Sequence, residues 1–153
     1  MLSISPISAF SDNYIWCVAR DGEAIIVDPG DAAPVLNHLD KNGLTLSAII
    51  ITHHHYDHVN GIELLCERFP NIPVYGPENQ CESINQRLKH GDKITLFDYT
   101  FSVFAVPGHT LDHIAYYIDS ATSAPALFCG DTLFAGGCGR LFEGTPEQML
   151  QSL

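Results

Sequence analysis

The chain has 153 residues, of which 46% are hydrophobic and 16% charged, and its formal net charge is −11. This length and composition predict one globular domain with a hydrophobic core and exclude a disordered chain. There are only seven Lys and Arg residues, and no apolar run is long enough to span a bilayer. We therefore expect neither nucleic acid nor a membrane as a partner.

Strands and helices are predicted in mixed order along the chain. The dipeptide Asp21-Gly22 between two apolar runs favours a hairpin turn, and the β-branched run at 48–51 is typical of a strand buried on both faces. Such a mixture predicts an α/β sandwich of layers. The predicted elements are strands at 13–20 and 23–27, a helix at 33–41, a strand at 48–51, a helix near 62–69, and strands at 74–75, 93–97, 100–106, 114–118 and 127–129.

A last helix is predicted to begin after Thr145. Thr145 suits the N-cap, Pro146 suits the first helical position, and Gln148 completes a capping box. Because the chain ends soon after this helix begins, with nothing obvious to cover its apolar side, we expect a chain truncated at its C-terminus. The predicted apolar face of this helix consists of Met149, Leu150 and Leu153.

The cysteines and the N-terminus bear on the cellular compartment of the protein. The five cysteines form no C-x-x-C pair, which predicts free thiols and neither disulfides nor a zinc knuckle. The N-terminus lacks the basic start and the apolar stretch of a signal peptide. We therefore expect a cytoplasmic protein.

Four potential metal ligands lie close together directly after the strand at 48–51. Crowded imidazoles and a carboxylate lose hydration and gain little packing without a metal, whereas a divalent ion makes them strong ligands. His54 points away from its alternating neighbours and is not predicted to be a ligand. The predicted ligands in this cluster are His53, His55, Asp57 and His58.

Two further candidates, His109 and Asp131, each follow a Gly just after a predicted strand. Loops at one edge of a sheet converge, so we expect both to meet the histidine cluster. His113 fits either a supporting role beside the metal or a purely structural one. The predicted arrangement is a three-nitrogen site of His53, His55 and His109, a second ion held by Asp57 and His58, and Asp131 as the bridge.

These motifs, with the segment from Phe128 to Met149, resemble the glyoxalase II (hydroxyacylglutathione hydrolase) family of the metallo-β-lactamase superfamily. The resemblance extends over the whole chain. It implies a metallo-β-lactamase-like αββα sandwich with a binuclear metal site. It also implies hydrolysis of S-lactoylglutathione to lactate and glutathione, a step of methylglyoxal detoxification. We expect two divalent ions, with zinc preferred. Iron or manganese are the alternatives, because the same ligands accept them.

The resemblance also implies roles for individual residues. Residues 1–153 would be a catalytic domain without the family's helical substrate-binding domain and without its last His ligand, and we expect a monomer. Asp112 stands where the family usually has Gly. The implied roles are metal ligation by His53, His55, His109, Asp57, His58 and Asp131, catalysis by Asp57 and Asp131, and contact with a glutathione thioester substrate by Arg140 and Phe142.

Other functions are compatible with parts of the pattern. A mononuclear iron persulfide dioxygenase of the same superfamily would use two histidines and a carboxylate, here His53, His109 and Asp131. The chain could instead be an inactive metal-binding fragment. A nuclease of the same fold is disfavoured by the net charge of −11.

Overall fold

The computed structural model describes residues 1–119 and 124–153. The helices of these residues are α1 (Ala32–Asn42), α2 (Tyr56–Val59), α3 (Ile62–Arg68) and α4 (Pro146–Ser152). The strands are β1 (Ser3–Ala9), β2 (Asn13–Arg20), β3 (Glu23–Val27), β4 (Thr45–Ile50), β5 (Val74–Pro77), β6 (Gln86–Leu88), β7 (Lys93–Leu96), β8 (Tyr99–Ala105), β9 (Ile114–Ile118), β10 (Ala126–Phe128), β11 (Leu133–Phe134) and β12 (Gly137–Cys138).

Most strands belong to two sheets. The first sheet has the order β1-β2-β3-β4-β5-β6, in which the pairs from β3 to β6 are parallel. The second sheet has the order β10-β9-β8-β7 and is antiparallel throughout. The short strands β11 and β12 form a separate hairpin. Asp21 and Gly22 both have positive φ angles between β2 and β3, which confirms the predicted hairpin.

The central strands face two different hydrophobic cores. On β4, Ile49 packs into a core with α1 and α3, while Ile50 packs into a core shared with the second sheet. Ile26 and Ile25 of β3 alternate in the same way. Alternation on two buried faces explains the continuous apolar runs of these strands. The predicted αββα sandwich is therefore confirmed, and none of the described helices has the length and hydropathy of a membrane span.

Several details differ from the prediction, among them the short strands β6, β11 and β12, which were not predicted. Strand β1 was not predicted because it alternates Ser with Ile and contains Pro6, which is tolerated here at the edge of the sheet. The short helix α2 was not predicted either. The apolar face expected for α4 is wrong in part: Met149 is buried over Gly108, but Leu150 and Leu153 are 75% and 61% exposed. Met149 is the buried residue of this helix, and the Ser152 hydroxyl donates to the Pro107 carbonyl oxygen at 2.8 Å.

The turn between β3 and α1 packs directly against the loop that carries the histidine cluster. The Gly61 N–H donates to the Pro29 carbonyl oxygen at 2.8 Å. A Cβ atom on Gly30 would overlap the backbone carbonyl of Asp57. The absence of a side chain at Gly30 therefore lets the two loops approach and sets the position of Asp57.

The substitution Gly30→Ala tests this close approach. We expect the added methyl group to push the two loops apart and to lower the free energy of unfolding by about 1–3 kcal/mol, measured by urea denaturation. Gly137→Ala is the matched control, because a Cβ atom there meets nothing within 4 Å. Equal stability of the two variants would contradict the packing described here.

Candidate metal centre

The candidate site lies where three loops meet at one edge of the two sheets. The first loop follows β4 and carries the histidine cluster, the second follows β8, and the third follows β10. A hydrogen bond of 2.9 Å from the Ile114 N–H to the Thr52 carbonyl oxygen joins the first loop to β9. The predicted convergence at strand ends is therefore present in the fold.

The structure brings the six predicted metal-ligating residues together in two groups that share Asp131. Within each group, one potential ligand atom per residue lies within 4.8 Å of the others. His109 Nε2 lies 3.1 Å from Asp131 Oδ2, and His58 Nε2 lies 3.3 Å from Asp131 Oδ1. The two carboxylate oxygens thus face different groups. The first group is His53, His55, His109 and Asp131, and the second is Asp57, His58 and Asp131.

Hydrogen bonds orient three of the histidines so that Nε2 faces the centre. His53 Nδ1 lies 3.0 Å from Thr52 Oγ1, His58 Nδ1 lies 3.0 Å from Asp28 Oδ2, and His109 Nδ1 lies 2.6 Å from the Arg140 carbonyl oxygen. A ring that donates from Nδ1 carries its lone pair on Nε2 when it is neutral.

The chemistry of these atoms fits a divalent cation. His53 Nε2 is buried and, within residues 1–119 and 124–153, has no hydrogen-bond partner. Burial lowers the pKa of His53, which keeps that nitrogen a lone-pair donor. Burial also opposes the charged form of His58, but Asp28 and Asp131 outweigh it and raise the pKa of His58 to about 10. The centre therefore favours positive charge, which a divalent ion can supply in place of a proton.

The buried carboxylate of Asp28 supports both ends of the cluster. Its Oδ1 accepts from the Thr52 N–H and its Oδ2 from the Thr52 hydroxyl, each at 2.7 Å. Asp28 Oδ2 also accepts from His58 Nδ1. Through the Thr52 hydroxyl the same carboxylate orients His53. The sequence analysis assigned no role to Asp28, which follows the predicted strand 23–27, so this supporting role was missed.

Two further side chains contact the predicted metal ligands. Asn13 Nδ2 donates to Asp57 Oδ2 at 2.8 Å. The buried ring of His113 stacks on His53 at 4.5 Å, and its Nε2 accepts from the Asp131 N–H at 3.1 Å. Burial lowers the pKa of His113 to about 4, so the ring is neutral. Of the two roles left open by the sequence, these contacts with His53 and Asp131 favour the supporting one.

The residues predicted to contact substrate lie beside the first ligand group. The Phe142 ring meets the rings of His55 and His109 edge-on at 5.2 and 5.3 Å, and the Arg140 guanidinium lies 5.2 Å from the Phe142 ring centre. A Cβ atom on Gly139 would overlap the Asp131 carbonyl, so this glycine lets the segment approach the site.

A comparison with protein families matches residues 10–152 to the metallo-β-lactamase superfamily. The chain belongs to this superfamily. The hydroxyacylglutathione hydrolase of Hahella chejuensis is 55% identical in an alignment 155 residues long, which covers 100% of this chain and 60% of that protein. The chain thus spans about 60% of the length of the curated relatives it matches.

Solved structures of the superfamily have the same fold. The BLEG-1 B3 metallo-β-lactamase has a TM-score of 0.84 and 28% identity, covering 99% of this chain and 83% of that one. TTHA1623, solved in a di-iron-bound form, has a TM-score of 0.77 and 26% identity, covering 97% and 83%. The superfamily fold and the two ligand groups together indicate a protein that binds divalent metal.

The substitution Asp28→Asn tests whether the Asp28 carboxylate orients the predicted ligands His53 and His58. An amide nitrogen cannot accept from Thr52 or His58, so we expect metal affinity to fall about 10–100-fold, measured by competition with a chromophoric chelator. Asp31→Asn is the matched control, because Asp31 caps α1 and Asn caps equally well. Wild-type metal affinity in Asp28→Asn would contradict this role.

Proposed function

We propose that residues 1–153 form the catalytic domain of a metal-dependent thioester hydrolase acting on S-lactoylglutathione and related S-(2-hydroxyacyl)glutathiones. Water adds to the thioester carbonyl carbon, the C–S bond breaks, and a hydroxy acid and glutathione leave. The observation that carries the proposal is the pair of ligand groups sharing Asp131, in a chain similar to proteins named hydroxyacylglutathione hydrolase. The reaction would serve methylglyoxal detoxification.

Two divalent ions are the cofactors that the ligand groups suit best. Zinc accepts imidazole and carboxylate ligands, and iron or manganese accept the same set. The di-iron form of the similar protein TTHA1623 supports a two-ion site. When bound, the ions lower the pKa of water and polarise the thioester carbonyl. The proposed ligands are His53, His55, His109 and Asp131 for the first ion, and Asp57, His58 and Asp131 for the second.

The two catalytic carboxylates have different tasks in this proposal. Asp57, 40% exposed and fixed by Asn13, orients the attacking water. Burial opposes the charge on Asp131, but hydrogen bonds from His109 and His58 outweigh it and lower the pKa of this carboxyl group, so it stays ionised between the two ligand groups. A thiolate leaves readily because thiol pKa values are about 8.5. The reaction therefore needs no strong general acid.

Loss of a ligand should abolish the reaction. We expect His53→Ala and Asp131→Ala each to remove thioester hydrolysis and to reduce bound metal, measured by thiol release and by elemental analysis. His38→Ala on α1, away from the ligand groups, is the control and should keep both. Near-normal hydrolysis by either ligand variant would overturn the assignment.

The mononuclear iron alternative predicts a different reaction. A persulfide dioxygenase would consume oxygen in the presence of glutathione persulfide and would retain one iron per chain. The thioester hydrolase should release thiol from S-lactoylglutathione without oxygen uptake. Measuring both reactions on the same metal-loaded protein separates the two functions, and oxygen uptake without thiol release would replace the present proposal.

Arg140 is proposed to bind the glutathione part of the substrate, because a guanidinium pairs well with the carboxylates of a peptide. We expect Arg140→Ala to raise KM for S-lactoylglutathione about ten-fold with kcat little changed. A lactoyl thioester of N-acetylcysteamine lacks those carboxylates, so its KM should not change. Equal effects on both substrates would contradict this role of Arg140.

A further inference from the structure

His54 is the one histidine of the cluster 53–58 that belongs to neither of the two ligand groups sharing Asp131. Its two ring nitrogens instead meet carboxylates from two other loops: Nδ1 lies 2.8 Å from Asp112 Oδ1, and Nε2 lies 3.0 Å from Glu143 Oε1. The side chains of His54 and Glu143 are about one-third exposed, whereas that of Asp112 is 9% exposed. His54 thus connects the loop after β8 to the segment 140–144.

Asp112 is itself held from the other side. Its Oδ2 accepts from Asn79 Nδ2 at 2.8 Å. The Arg87 guanidinium in turn donates to the backbone carbonyls of Pro77 and Asn79, each at 3.1 Å. Asn79 therefore ties the carboxylate of Asp112, in the loop after β8, to the β5–β6 edge of the first sheet, and His54 contacts this fixed carboxylate.

Glu143 transmits this support to the segment with the proposed substrate contacts. Its Oε2 accepts from the Leu111 N–H at 2.9 Å. The backbone of the same segment pairs with the loop after β8, from the Phe142 N–H to the His109 carbonyl at 3.1 Å. A change in the position of Glu143 would therefore move Phe142 relative to the rings of His55 and His109.

We propose that His54 is a positioning residue: by bridging Asp112 and Glu143 it fixes the segment 140–144 beside the first ligand group and so sets affinity for the glutathione part of the substrate. The affinity statement rests on the proposed function, whereas the fixing of the segment does not. Both ring nitrogens of His54 face carboxylates, so the bridge also accounts for a histidine that lies outside the two ligand groups sharing Asp131.

The variant His54→Ala tests this bridge in two ways. We expect the amides of Leu111 and Phe142 to exchange hydrogen at least about five-fold faster, measured by hydrogen-exchange mass spectrometry on the metal-loaded protein. We also expect KM for S-lactoylglutathione to rise about five-fold, with kcat and metal content within about two-fold of wild type. His38→Ala is the control for loss of an imidazole outside the bridge.

A double-mutant cycle with Glu143→Gln distinguishes positioning from a general loss of stability. If His54 acts through Glu143, the double variant should have the same KM and the same amide exchange rates as each single variant. Independent effects of the two substitutions would instead multiply. Unchanged amide exchange at residues 111 and 142 in His54→Ala would overturn the proposal. If the wild-type protein hydrolyses no thioester, the proposed function fails, and the exchange measurement still decides whether the bridge fixes the segment.

Discussion

The candidate metal centre depends on the hydrogen bonds that the buried carboxylate of Asp28 accepts. The backbone of Asp28 lies in the left-handed region at a φ of 53°, a conformation that costs a non-glycine residue free energy. Its three hydrogen bonds to Thr52 and His58 offset that cost and the cost of burying the charge. A negative charge behind the histidines also makes a positive charge in front of them favourable.

The fold supplies this carboxylate with partners from distant parts of the chain. Strands β3 and β4 are parallel neighbours, and the Asp28 N–H continues their ladder by donating to the Ile50 carbonyl oxygen at 3.0 Å. Because both strands are buried on two faces, their ends cannot shift without disturbing two cores. The rigid sheet thus positions the ligand loop, while the flanking loops bring His109 and Asp131 from the second sheet to the same edge.

Local sequence patterns predicted much of this arrangement. The strands 13–20, 23–27 and 114–118 were predicted with the observed bounds, because hairpin residues and apolar runs mark them directly. The six metal-ligating candidates were found because four of them lie within one short motif and the others follow Gly after a strand. The role of Asp28 could not be read in the same way, since its partners are 24 and 30 residues away. The bridge by His54 likewise depends on loops that only the folded chain brings together. The exposure of Leu150 depends on which side of α4 faces the domain, and that side carries Met149.

We propose that the two ligand groups sharing Asp131 hold two divalent ions. The most direct measurement is anomalous diffraction, at the zinc edge, from crystals of the zinc-loaded protein. We expect two peaks on either side of the Asp131 carboxylate, one beside His53, His55 and His109 and the other beside Asp57 and His58. A single peak, or zinc bound without contact to Asp131, would contradict this proposal.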